Sequence, residues 1–120
     1  MKVYKVVRKK GDTYLSAIES KWQVQYTPGK ELTFVHGPLF AFDNIEDAKM
    51  FAGSNCSYRR LCIFEAEAEI YGPTPEWIID ALFMDYKDIV EFWKDGKGAS
   101  VFAPQGTVLC SSITLGEKIC

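Results

Sequence analysis

The chain is poor in the residues that usually carry chemistry. It holds one histidine, His36, and three arginines, Arg8, Arg59 and Arg60, against eleven lysines. Its cysteines, Cys56, Cys62, Cys110 and Cys120, form no C-x-x-C pair. Zinc needs four convergent ligands at characteristic spacings, so no metal site is expected. There is no G-x-G-x-x-G, no Walker loop and no G-x-S-x-G, which removes the common dinucleotide, nucleoside triphosphate and serine-hydrolase signals. No stretch approaches the ~18 apolar residues of a membrane span. The opening MKVYKVVRKKG has no apolar run after its basic residues and does not read as a secretory signal. A cytoplasmic location, no membrane partner and reduced cysteines are therefore expected. The net charge is −2. That implies no basic face, and duplex nucleic acid is not an expected partner. A small anion stays open, because two or three local cations can hold a phosphate against an acidic background.

What is present is an ordinary globular composition over 120 residues, read as a single domain, 1–120. KVYKVVR (2–8) and TYLSAIES (13–20) are β-rich runs about a KKGD turn and predict a hairpin. WQVQY (22–26) alternates, with Trp22, Val24 and Tyr26 on one side, as a half-buried strand does. TPGKE (27–31) reads as a turn and PLFAF (38–42) as a short strand. DNIEDAKMFAG (43–53) predicts a helix, with Asp43 as N-cap, Glu46 completing a capping box and Gly53 stopping it. Ile45, Ala48, Phe51 and Ala52 then share one face.

RRLCIFEAEAEIYG (59–72) predicts a long strand. Cys62, Phe64, Ala66 and Ala68 make one face. Leu61 and Ile63, followed by Glu65, Glu67 and Glu69, make the other, so that face should run from covered to solvated. TPEWIIDALFMDYKDIVEFWKDGKG (74–98) reads as a second helical segment, capped at Thr74, with Pro75 at its first position and a stop at Gly96 or Gly98. Its aromatic surface exceeds what one buried stripe can hide. ASVFAPQGTVLCSSITL (99–115) reads as strand, turn, strand. The fold class is α+β: a mainly antiparallel sheet of about six or seven short strands with two helical segments.

Nucleophilic catalysis needs a nucleophile, a base and an orienting group. His36 lies in the loop FVHGPL and brings no such set. The glutamates of 65–69 read as a solvated face rather than an acid–base pair. The chain is therefore read as a binder and not an enzyme, with no cofactor. Arginine presents a planar fork that matches phosphate oxygens. Arg59 and Arg60 can share one pocket if NCSYRR is still loop, but point to opposite faces if the strand has begun. A surface salt bridge to a glutamate is the competing use.

Several segments in order, YKVVRKKGDTYLSA, VQYTPGK, GPLFAFDNIEDAKMFA, CIFEAEAE and GTVLCSSITL, resemble the first type of phage-encoded Thoeris anti-defence proteins. The resemblance covers about two thirds of the chain and leaves out 74–98. It implies a sponge that holds cyclic ADP-ribose isomers, and in some members cyclic oligonucleotides, without cleaving them. It also implies a homo-oligomer built from dimers, working in the host cell cytoplasm.

The candidate site residues rest on residue chemistry. Arg59, Arg60 and Arg8 are assigned to pyrophosphate oxygens. Trp93, Tyr86 or Phe83 is assigned to stacking on adenine, and Asn55 or Ser16 to ribose hydroxyls or the base edge. Two rivals stand beside this reading. In one, the chain inhibits a host defence protein by direct contact through the aromatic segment 74–93. In the other, it is an enzyme acting on NAD or a nucleotide through His36 or a glutamate.

Overall fold

The computed structural model describes residues 1–17, 24–33, 39–53, 61–72, 77–79, 100–102 and 106–119. Nine strands and one helix lie among them: β1 (Lys2–Lys10), β2 (Thr13–Ser16), β3 (Gln25–Tyr26), β4 (Glu31–Thr33), β5 (Leu39–Phe42), α1 (Ile45–Ala52), β6 (Leu61–Gly72), β7 (Trp77–Ile79), β8 (Ser100–Phe102) and β9 (Thr107–Lys118). Seven strands form one sheet and β7–β8 form a separate ribbon. Every pairing is antiparallel.

The main sheet closes on itself. β6 lies between β1 and β9, and β5 reaches both of those strands from the other side, giving a four-strand ring β1–β5–β9–β6. From the remaining lengths of β1 and β9 the sheet flares outward. β2 and β3 extend from β1, and β4 extends from β9. The turn joining β3 to β4 is tied to β9, where Gly29 N–H donates to the Leu115 carbonyl at 2.8 Å.

The alternation of β6 sets the interior. Cys62, Phe64, Ala66 and Ala68 point inward, with Val3 and Val7 of β1, Leu39 and Ala41 of β5, Tyr26 of β3, and Val108, Cys110, Ile113 and Leu115 of β9. The opposite face begins apolar at Leu61 and Ile63. There Ala48 and Ala52 of α1 pack with Val6 and Phe42. Beyond the helix that face turns to Glu65, Glu67 and Glu69, of which the last two are exposed. Covered-to-solvated, as read from sequence, is thus the geometry of β6.

β9 changes parity midway. Val108 and Cys110 face inward, and so do Ile113 and Leu115. Ser111 is the extra residue, because Ile70 pairs with Cys110 while Glu69 pairs with Ser112. Such a bulge adds the local bend and twist that a small closed sheet requires.

Two sequence expectations are corrected. The N-cap of α1 is Asn44, not Asp43: the Asn44 side chain accepts from Asp47 N–H at 2.8 Å. Asp43 is held back in the extended chain by its own N–H, which donates to the Gly106 carbonyl at 3.0 Å. The reciprocal partner is therefore Asp47, whose carboxylate accepts from Asn44 Nδ2 at 2.6 Å, rather than Glu46. Secondly, part of the segment predicted helical over 74–98 is extended. Trp77–Ile79 is a strand, paired Trp77↔Phe102, Ile78↔Val101 and Ile79↔Ser100. Trp-Ile-Ile is rich in residue types of high strand propensity, which competes with its helical spacing. Residues 80–99 lie outside the described set. β4 was not foreseen, being three residues, two of them exposed.

Gly106 joins the helix N-terminus to β9. Its φ is +81°, and a Cβ there would stand 2.4 Å from Asp47 Oδ2. Gly106→Ala should destabilise the fold by about 2 kcal/mol through backbone strain and the displaced Asp47. The check is a denaturant melt beside wild type. An unchanged midpoint would show that the capping network tolerates the methyl group.

Candidate functional site

Two of the eight candidate residues, Arg8 and Ser16, are described. Arg8 is half-buried on β1, paired with Leu61 of β6 on one side and Leu15 of β2 on the other. It lies on the face of β1 that carries Val6, the face that α1 covers further along. Ser16 pairs with Val7 and so belongs to the opposite, interior-facing side. Its N–H donates to the Val24 carbonyl at 3.0 Å, and its Oγ accepts from Val24 N–H at 2.9 Å. Ser16 thus fastens the β2–β3 junction and does not share a face with Arg8. Asn55, Arg59, Arg60, Phe83, Tyr86 and Trp93 lie outside the described residues, as do His36, Cys56 and Cys120.

The register still says something about the arginines. Arg59 and Arg60 directly precede Leu61 in the chain, and Leu61 is the partner of Arg8. At ~3.8 Å per peptide link, covalent continuity keeps their Cα atoms within about 8 Å of that of Leu61. The residue that follows Arg60 in the chain is thus the strand partner of Arg8. Lys9 and Lys10, both exposed, follow Arg8 on β1. These groups can neutralise an anion without any proton transfer.

Sequence reading passed over a second group. Lys5 sits on β1 between Val3 and Val7 and shares their inward parity. Only 7% of it is exposed. Its Nζ donates to the Phe40 carbonyl of β5 and stands 5.1 Å from the centre of the Tyr26 ring, within cation–π range. Burial lowers the Lys5 pKa from the ordinary 10.5 to about 8, and the nearby Cys110 opposes that only in part. Burial also raises the Cys110 thiol, with Lys5 pulling it back, and raises the Tyr26 hydroxyl. Among the described residues no carboxylate pairs with Lys5. The available signal was the spacing in KVYKV, where a lysine occupies the apolar parity of an alternating strand.

Cys62 and Cys110 are both buried free thiols. Among the described residues no cluster of histidine, cysteine or carboxylate side chains could hold a metal ion. No helix among them is long and apolar enough to cross a membrane. Comparison of the chain with protein-family models, with curated proteins and with solved structures finds no match.

Proposed function

We propose that this protein is a phage anti-defence sponge. It binds a cyclic ADP-ribose-type signal, and in the wider reading a cyclic oligonucleotide, and withholds it without cleavage. The observation that supports this reading is the β1–β6 register, which sets Arg8 opposite Leu61, the residue that Arg59 and Arg60 precede in the chain. Arg59 and Arg60, joined by Arg8, contact pyrophosphate oxygens. Trp93, Tyr86 or Phe83 stacks on the base, and Asn55 reads a ribose hydroxyl. Ser16 is the weaker alternative for that role, since its Oγ already accepts from Val24 N–H.

Magnitudes shape the proposal. Submicromolar retention requires at least ~8 kcal/mol net. A stacked base gives ~1–3 kcal/mol and a charge-assisted hydrogen bond ~1.5–3 kcal/mol. One stack and two arginine contacts barely reach that after ordering costs. A second subunit that completes the pocket supplies the difference, so the sponge works as a homo-oligomer built from dimers.

The test is a release assay. Purified protein is mixed with the product of a TIR-domain cyclase and filtered off, and the filtrate is assayed for effector activation. The retained protein is then heated and its released fraction assayed. Activity that disappears and returns intact on heating supports sequestration. Activity that disappears for good means turnover, and activity that never leaves the filtrate means another ligand or a protein target. Arg59→Ala and Trp93→Ala should each weaken retention at least tenfold, read by equilibrium dialysis. A change under twofold in both removes these residues from the site.

A further inference from the structure

The four-strand ring is unevenly fastened. β6 is paired with β1 from Lys2 to Arg8 and with β9 from Lys118 to Leu109. β5 is paired with β9 at four successive positions, Leu39↔Cys110 through Phe42↔Thr107. Between β5 and β1 there is one backbone pair, Tyr4↔Phe42. The ring therefore has a single weak seam. The next residue along β1 is Lys5, whose side chain crosses that seam from inside the barrel and donates to the Phe40 carbonyl of β5. The same ammonium rests on the face of Tyr26, so the contact also anchors β3 to the closed end.

A buried ammonium is a costly way to satisfy one carbonyl unless it fastens something. We infer that the interior opens to solvent at the β1–β5 seam, and that Lys5 is the pin that holds this seam shut. The groups facing the pin are the Phe40 carbonyl from β5, Tyr26 from β3, Cys110 from β9 and Phe64 from β6, its cross-strand partner. The neutral amine keeps an N–H for the Phe40 carbonyl, so the pin is undone by removing the side chain and not by losing its charge. Opening at the seam bares the part of the core next to β5, including Cys110, the partner of Leu39. It leaves Cys62, which is paired with Val7 in the β1–β6 ladder, covered. The two buried thiols therefore report on different ends of the barrel. The seam is independent of the arginine end, because Arg8 and Lys5 lie on opposite faces of β1.

The experiment is alkylation of the native full-length protein by N-ethylmaleimide, with modification at Cys62 and Cys110 followed separately by peptide mass spectrometry. In Lys5→Met, alkylation of Cys110 should accelerate at least tenfold over wild type, while Cys62 changes less than twofold. Equal acceleration at both thiols means global destabilisation and overturns the pin. No acceleration at Cys110 overturns it too. A wild-type measurement decides the matter if the variant does not fold. Native-state hydrogen exchange should find the amides at the Tyr4–Phe42 bridge opening at least tenfold more often than those of the Val6–Ile63 ladder. Equal protection at the two places would show that the ring has no seam there.

Discussion

Phe64→Ala should cost about 3–5 kcal/mol of stability. Phe64 lies on the inward face of β6, the strand paired with both β1 and β9, and only 3% of it is exposed. Its ring meets Tyr14 of β2 edge-on, with centroids 4.9 Å apart and planes at 78°, and it faces Lys5 across the β1–β6 pair. Removing the ring leaves a cavity against several strands that cannot collapse, because the ladders hold their backbones. It also strips apolar cover from a buried amine. A domain of this size has a total stability of about 5–15 kcal/mol, so the variant should be close to unfolded at 37 °C. Glu69→Ala, exposed on the other face of the same strand, should stay within about 0.5 kcal/mol of wild type. Urea melts of the three proteins test both statements. A loss below about 1.5 kcal/mol for Phe64→Ala would mean that the interior is loosely packed and repacks around the gap.

The contrast between those two positions shows why β6 was legible in the sequence. Strict alternation over six residues, Phe64 to Glu69, with glutamates on one parity and small or aromatic residues on the other, has one physical solution: a strand with one wet face. The helix at 45–52 was legible for the same reason, as its apolar residues recur at helical spacing between a capping residue and a glycine. What was not legible was closure. Ring formation depends on β5 reaching both β1 and β9, and pairing between distant strands leaves no local mark in either one. The bulge at Ser111 shows the limit well. In VLCSSITL the apolar parity shifts across the two serines, which is visible once the sheet is known to bend but reads as one unbroken strand otherwise. The cap moved from Asp43 to Asn44 because a long-range bond to Gly106 claimed Asp43. The segment at 77–79 became a strand because residues 100–102 lie beside it, and helical spacing in one segment says nothing about a partner so distant in the chain. Of the candidate site, Arg8 was recognised by its residue type. Its pairing with Leu61 came only with the β1–β6 register.

Lys5 carries the prediction with the clearest pH dependence. Lowering a lysine from 10.5 to about 8 corresponds to about 3 kcal/mol at pH values below both. The sign follows from proton counting. Between pH 8 and 10.5 the folded chain has released the Lys5 proton and the unfolded chain still holds it. The unfolded state binds more protons, so stability rises with pH across that window, by up to about 1.4 kcal/mol per pH unit. Below pH 8 both states are protonated and the burial penalty is carried in full. Cys110 acts in the opposite direction, since its thiol is raised from 9.0: the unfolded chain loses that proton first, and stability falls as pH rises through 9. Tyr26, raised from 10.0 by burial, adds a second fall above pH 10. Wild type should therefore gain stability from pH 7.5 to about 9 and then flatten as the opposing groups take over. Lys5→Met removes the gain and leaves the losses, so its stability should decline from about pH 9 onward. The measurement is the urea-unfolding free energy of both proteins at half-unit steps from pH 7 to 10.5. The difference between the curves isolates Lys5 and should grow in favour of wild type by about 3 kcal/mol across the window. Parallel curves would mean that Lys5 reaches water in the folded protein, and would remove both its burial and its part in closing the barrel.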